Sequence, residues 1–121
     1  MDSKVFADKI IDLMLEKKAY DVKMLNIRDL SSIADYFIVC SGGSEPQVKA
    51  IADNIDKSLA DEGIKCTHRE GFDSLNWVLL DYFDVVIHIF KEDARGYYNL
   101  EKLWGDAPII EVAEDGTQTQ I

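Results

Sequence analysis

Cysteine is scarce in this chain. Cys40 and Cys66 are the two present in 121 residues, and they form no C-x-x-C pair. Each falls in an expected strand, where a small buried thiol is the plain reading, and a reducing cytoplasm is the expected home. Long apolar runs are missing too. None approaches the roughly 20 residues needed to cross a bilayer, so no membrane span is expected. The opening Met1-Asp2-Ser3-Lys4 lacks the basic-then-apolar layout of a signal peptide. Basic charge is in short supply: 13 Lys and Arg stand against 23 Asp and Glu, a net charge of −10. Such a chain repels phosphates, so direct or sequence-specific nucleic-acid binding is not expected. Attraction to a basic protein is consistent with it, and simple solubility explains the same charge equally well.

Catalytic signatures are also lacking. Ser41-Gly42-Gly43-Ser44 precedes a helix, a setting that can hold phosphate. No Lys-Ser/Thr follows the glycines, however, and there is no G-x-G-x-x-G. A Gly-Ser turn before a helix occurs in nucleotidyltransferases as well, but those enzymes need paired carboxylates on a following strand for Mg²⁺. Here Asp53 and Asp56 fall within the helix, and Asp81 and Asp84 bracket a turn. Capping and turn chemistry is the better account of the Ser-Gly segment. His68 and His88 have no Cys, His or Glu at zinc-ligand spacing. Ser41, Ser44, Cys40 and Cys66 carry no mark of an activated nucleophile. No cofactor, metal or catalytic residue is implied.

What is present suits one globular domain: 47% hydrophobic and 30% charged residues. Ser3 is a good N-cap for a helix over 4–18, with Phe6, Ile10, Leu13 and Met14 as its stripe and Val5 beside it. Residues 20–27 read as a strand. Tyr36 to Cys40 is nearly all apolar and reads as a central strand covered on both faces. Ser44 caps a second helix, Gln47 completes a capping box, and the stripe Val48, Ile51, Ala52, Ile55 and Leu59 runs to a Gly63 stop. Residues 64–70 read as a third strand, 77–90 as a hairpin and 94–103 as a last helix. Residues 1–112 form the expected domain, and 113–121 a polar, disordered tail. The order predicts an α/β fold: a mixed five-stranded sheet with flanking helices, in which the second and third strands are parallel through a right-handed crossover.

The hairpin and the stretch after it, residues 77–104, hold both tryptophans and three of five tyrosines. Aromatics on a rigid strand pair supply large contact area at low entropy cost, which suits protein recognition. A well-packed hairpin is the bland alternative. Alternation puts Trp77, Leu79 and Asp81 on one face and Val78, Leu80 and Tyr82 on the other. Asp81 favours the outward side for the Trp77 set, which would be an exposed apolar patch beside a carboxylate. His88, in Val86-x-His88-x-Phe90, reads equally as a polar contact for a partner and as a packed strand histidine. The candidate partner-binding residues are therefore Trp77, Leu79, Asp81, His88, Phe90, Tyr97 and Tyr98.

Several blocks, in order, resemble one family: Ala34-Asp35-Tyr36-Phe37-Ile38-Val39-Cys40-Ser41-Gly42, then Glu70-Gly71-Phe72 with Trp77-Val78-Leu79-Leu80-Asp81-Tyr82, then Val85-Val86-Ile87-His88-Ile89-Phe90, then Tyr97-Tyr98-Asn99-Leu100-Glu101-Lys102-Leu103-Trp104. Over roughly Phe6 to Val112 the chain is similar to Iojap, the bacterial ribosomal silencing factors. Phe83, where the family commonly has glycine, Asn99, and Ser44-Glu45-Pro46 depart from the pattern. The resemblance implies a nucleotidyltransferase-like fold without the catalytic carboxylates. It implies a non-enzymatic repressor that binds ribosomal protein fourteen of the large subunit, blocks joining of the small subunit and lowers translation when nutrients are short. It also implies a homodimer. A nucleotide-dependent transferase on the same fold is the alternative.

Overall fold

A computed structural model describes residues 2–98, 102 and 104–121, with the side chains of Tyr97 and Tyr98 left out. Its elements are α1 Ser3–Glu16, β1 Tyr20–Asn26, β2 Tyr36–Gly42, α2 Glu45–Asp61, β3 His68–Glu70, β4 Trp77–Asp81, β5 Val85–Lys91, α3 Glu92–Tyr98, β6 Ile109–Val112 and β7 Gln118–Gln120. The sheet has seven strands rather than the five expected, in the order β3-β4-β5-β2-β1-β6-β7. Among the described residues, only β2 and β5 pair in parallel.

Two strands went unread because their pairing, not their periodicity, makes them. Ile109–Val112 pairs antiparallel with β1, and the polar Gln118–Gln120 pairs with β6. The stretch expected as a disordered tail therefore returns to the sheet as an edge strand. Gly116, at φ 90°, makes the turn between them, with its amide bonded to Ala113 O. The third strand shrinks to an exposed three-residue edge, so Cys66 lies outside any strand. It runs in the same sense as β2, as the crossover requires, but β4 and β5 lie between them.

Helices α1 and α2 end where left-handed residues allow. Asp2, not Ser3, caps α1, accepting from Lys4 N at 2.9 Å. After α1, the amides of Lys18 and Ala19 bond to Leu15 O and Met14 O, with Lys18 at φ 64°. Gly63 and Ile64 repeat this arrangement after α2, with Gly63 at φ 81°. Both are Schellman stops, but the first uses a lysine, so glycine did not mark it. Ser44 caps α2 through Gln47 N at 3.3 Å. Gln47 does not close the expected box on Ser44. Its Oε1 takes the Gly43 amide and its Nε2 donates to Lys18 O, tying the start of α2 to the end of α1.

The expected stripes are buried. Phe6, Ile10, Leu13, Met14, Val48, Ile51, Ala52, Ile55 and Leu59 pack on one sheet face with Ile38, Cys40, Val78, Leu80, Ile87 and Ile89, while Val5 is exposed. The other face carries a smaller cluster of Leu25, Ile27, Phe37, Val39, Val86, Phe90 and Ala107, flanked by Trp77, Leu79, Ala94 and Trp104. Every residue of β2 is buried, as a strand covered on both sides must be.

Candidate functional site

The β4–β5 hairpin is built as the alternation predicts. Val78 and Leu80 are buried under the helices, while Trp77, Leu79 and Asp81 are half-buried on the opposite face. Antiparallel register sets Trp77 against Phe90, Leu79 against His88 and Asp81 against Val86. Parallel register sets Val86, His88 and Phe90 beside Phe37, Val39 and Ser41.

Gly71 fixes where this strand begins. It sits at φ 90°, and a Cβ there would lie 1.9 Å from Trp77 O. The turn at the far end is tight. Asp84 N bonds to Tyr82 O across Phe83 at φ 74°, and the Asp81 carboxylate accepts from Phe83 N at 2.8 Å. The reach of Asp81 is thus spent partly on its own turn. A three-residue turn at positive φ is strained for any residue with a side chain, and Phe83 itself is 74% exposed.

On this face the aromatic rings form a connected set. Phe90 stacks on Trp77 at 5.1 Å and 25°. Phe37 lies 4.8 Å from His88, and Trp104 meets Phe37 edge-on at 5.5 Å. Trp77 Nε1 donates to His88 Nδ1 at 3.0 Å. His88 is 3% exposed, and burial lowers its pKa to about 4, so it is neutral at pH 7. His88 and Phe90 form the floor of the face, and Trp77 and Leu79 its half-exposed upper layer. Tyr97 and Tyr98 lie on α3 right after this floor, but their side chains are outside the described set, as are Leu100 and Leu103.

Arg95 is the residue whose role sequence reasoning missed. It is buried, and its guanidinium donates to Asp21 O and to Ser41 Oγ at 2.9 Å, with Asp21 Oδ2 at 3.5 Å. That pins α3 across β1 and β2. The signal that could have found it is weak: an arginine two residues before a tyrosine pair, with a serine at the end of an otherwise apolar strand.

A cleft of about 500 Å³ opens at the end of the parallel strands, lined by Gly43, Ser44, Glu45, Pro46, Lys91, Glu92 and Asp93. Three carboxylates against one ammonium make it a poor cradle for phosphate. The carboxylates weighed for Mg²⁺ are engaged separately: Asp53 with Lys49, and Asp56 with Arg69 and the Tyr82 hydroxyl. Among the described residues no group of three His, Cys, Asp or Glu is placed to hold a metal ion. Burial raises the Cys40 thiol to about 12, which makes it inert.

The family model described as "Ribosomal silencing factor during starvation" matches residues 1–120. The ribosomal silencing factor RsfS of Halalkalibacterium halodurans is 45% identical over 112 residues, covering 93% of this chain and 96% of that protein. That of Bacillus subtilis is 48% identical over 97 residues, covering 80% and 82%. A crystal structure of a Chromobacterium violaceum protein superposes with a TM-score of 0.84 at 34% identity, covering 87% of this chain and 88% of that one.

Proposed function

The chain belongs to the ribosomal silencing factor family, and from that premise we propose that it docks its β4–β5 aromatic face on ribosomal protein fourteen of the large subunit. Bound there, it occupies space the small subunit needs and so represses translation under nutrient limitation. The family is named for silencing, not for catalysis, and a ribosome-associated silencing role follows from membership. The docking partner and the occlusion mechanism are our reading. The observation that carries it is the half-exposed pair Trp77 and Leu79 standing on a rigid floor of buried rings. Tryptophan is among the residues most enriched at interface hot spots. The net charge of −10 supports a basic partner.

The same reading takes the fold as nucleotidyltransferase-like without the catalytic carboxylates, places the protein in the cytoplasm with its ribosomes, and includes the family's homodimer. The engagement of the Asp53, Asp56 and Asp81 carboxylates by separate partners supports the first of these. Trp77→Ala is the test. It should weaken binding to purified large subunits by at least about 2 kcal/mol while the chain stays folded, with a melting temperature lowered by the lost stacking on Phe90 and the lost bond to His88. Unchanged binding with a lowered melting temperature would make Trp77 a core residue and remove this face from the reading. Analytical ultracentrifugation of the free protein tests the dimer.

A further inference from the structure

The most unusual group on this face is the buried imidazole. Every neighbour that register gives His88 within the sheet is apolar: Val39 on one side and Leu79 on the other, with the Phe37 ring 4.8 Å away. A leucine would fill such a position without any polar atom to satisfy. The imidazole instead leaves Nε2 buried with no hydrogen-bond partner among the described residues, which is unfavourable. What the imidazole supplies in return is an acceptor. The indole of Trp77 has one polar atom, a donor, and it points inward to His88 Nδ1 at 3.0 Å. Accepting there assigns the histidine proton to Nε2.

Among the described residues, two contacts then constrain the half-exposed indole. Stacking on Phe90 sets its plane. The bond to His88 sets which edge faces inward, and a half-turn of the ring would break it. We propose that His88 is a positioning residue of the partner-binding face: it holds the Trp77 indole in one orientation, N–H inward, so that the partner meets its carbon edge. The partner's receiving surface is accordingly apolar where it contacts the indole. An anchor already ordered in the free protein loses less freedom on binding. His88 acts through Trp77 and touches no partner itself.

The inference rests on Trp77 being the anchor, and the experiment separates the two. Four proteins are compared in binding to purified large subunits: wild type, His88→Leu, Trp77→Phe and the double variant. Hydrogen exchange of the Trp77 indole N–H is measured by NMR on the free wild-type and His88→Leu proteins. His88→Leu should weaken binding about tenfold when Trp77 is present and less than about twofold when Phe stands at 77, the signature of a coupled pair. Its indole N–H should exchange at least about tenfold faster, since the His88 acceptor is gone. His88→Gln, which keeps an acceptor, should recover part of both losses, and it stands in if the leucine variant does not fold. Equal weakening by His88→Leu in both backgrounds, or unchanged indole exchange, would overturn the positioning role. If Trp77→Ala leaves binding intact, the docking reading fails instead, and the exchange measurement still decides whether His88 tethers the indole.

Discussion

Acidification from pH 7 to pH 5 should cost this protein roughly 2 kcal/mol of stability through His88 alone. The unfolded imidazole protonates at its ordinary 6.5, whereas burial lowers the folded one to about 4. Between those values the unfolded chain binds one proton more than the folded chain. Stability is therefore full above 6.5 and is lost as pH falls through the window toward 4. Each pH unit well inside the window is worth about 1.4 kcal/mol, and the part of it between pH 7 and 5 gives the figure above. Burial raises Asp8, but hydrogen bonds from Gln118 and Lys4 and the Lys4 charge hold it below the usual carboxylate value, as hydrogen bonds from Thr117 hold Asp115, so both lose their contributions at lower pH than this. The acidic surface acts in the opposite direction, because partial neutralisation relieves repulsion, and a paired variant cancels that effect. Urea unfolding of wild type and His88→Leu at half-unit steps from pH 7.5 to 4.5 is the assay. The difference in stability between the two should move toward the variant by roughly 2 kcal/mol on going from pH 7 to 5. A difference that stays constant with pH would refute the burial of an unprotonated His88.

Other positions give sharper single outcomes. Gly71→Ala must place a Cβ on the Trp77 carbonyl at positive φ. It should lower stability by about 3 kcal/mol or more in urea unfolding, and a loss below about 1 kcal/mol would mean the loop simply shifts. Phe83→Gly relieves a positive φ at an exposed side chain, so it should raise stability by about 0.5–1 kcal/mol; a loss would show that Phe83 packs in solution. Lys18→Gly at the α1 stop should stabilise by a similar amount, roughly 0.4–1 kcal/mol, for the same conformational reason.

Helices α1 and α2 were legible because each carries a stripe that the core absorbs residue for residue, and β2 because an all-apolar strand has to lie in the middle. The alternation of β4 was legible for the same reason, down to the face on which Trp77 and Leu79 stand. Strands β6 and β7 were not. Gln118-Thr119-Gln120 has no apolar period, and it is a strand only because β6 offers an edge to pair with. The candidate site divided along similar lines. Register brought Trp77, Leu79, Asp81, His88 and Phe90 together as neighbours. Depth was not readable, because Trp77 covers His88 and Phe90 only in part, and the rest of their burial is packing contributed by β2 and the segments beyond β5. Nothing in the pattern Val86-x-His88-x-Phe90 says that the histidine's partner is an indole eleven positions earlier.

Subunit joining followed by sucrose-gradient sedimentation tests the central claim most directly. The protein is added in increasing amounts to purified large subunits, and small subunits follow. The yield of joined ribosomes should fall in proportion to bound protein and level off once each large subunit carries one bound copy, monomer or dimer, without nucleotide, because occlusion needs one site filled. Ribosomes joined beforehand should resist, since joining hides the docking face, and added salt should weaken the effect by screening the acidic surface. Undiminished joining at saturating protein, or inhibition at far less than one copy per subunit, would contradict the occlusion account.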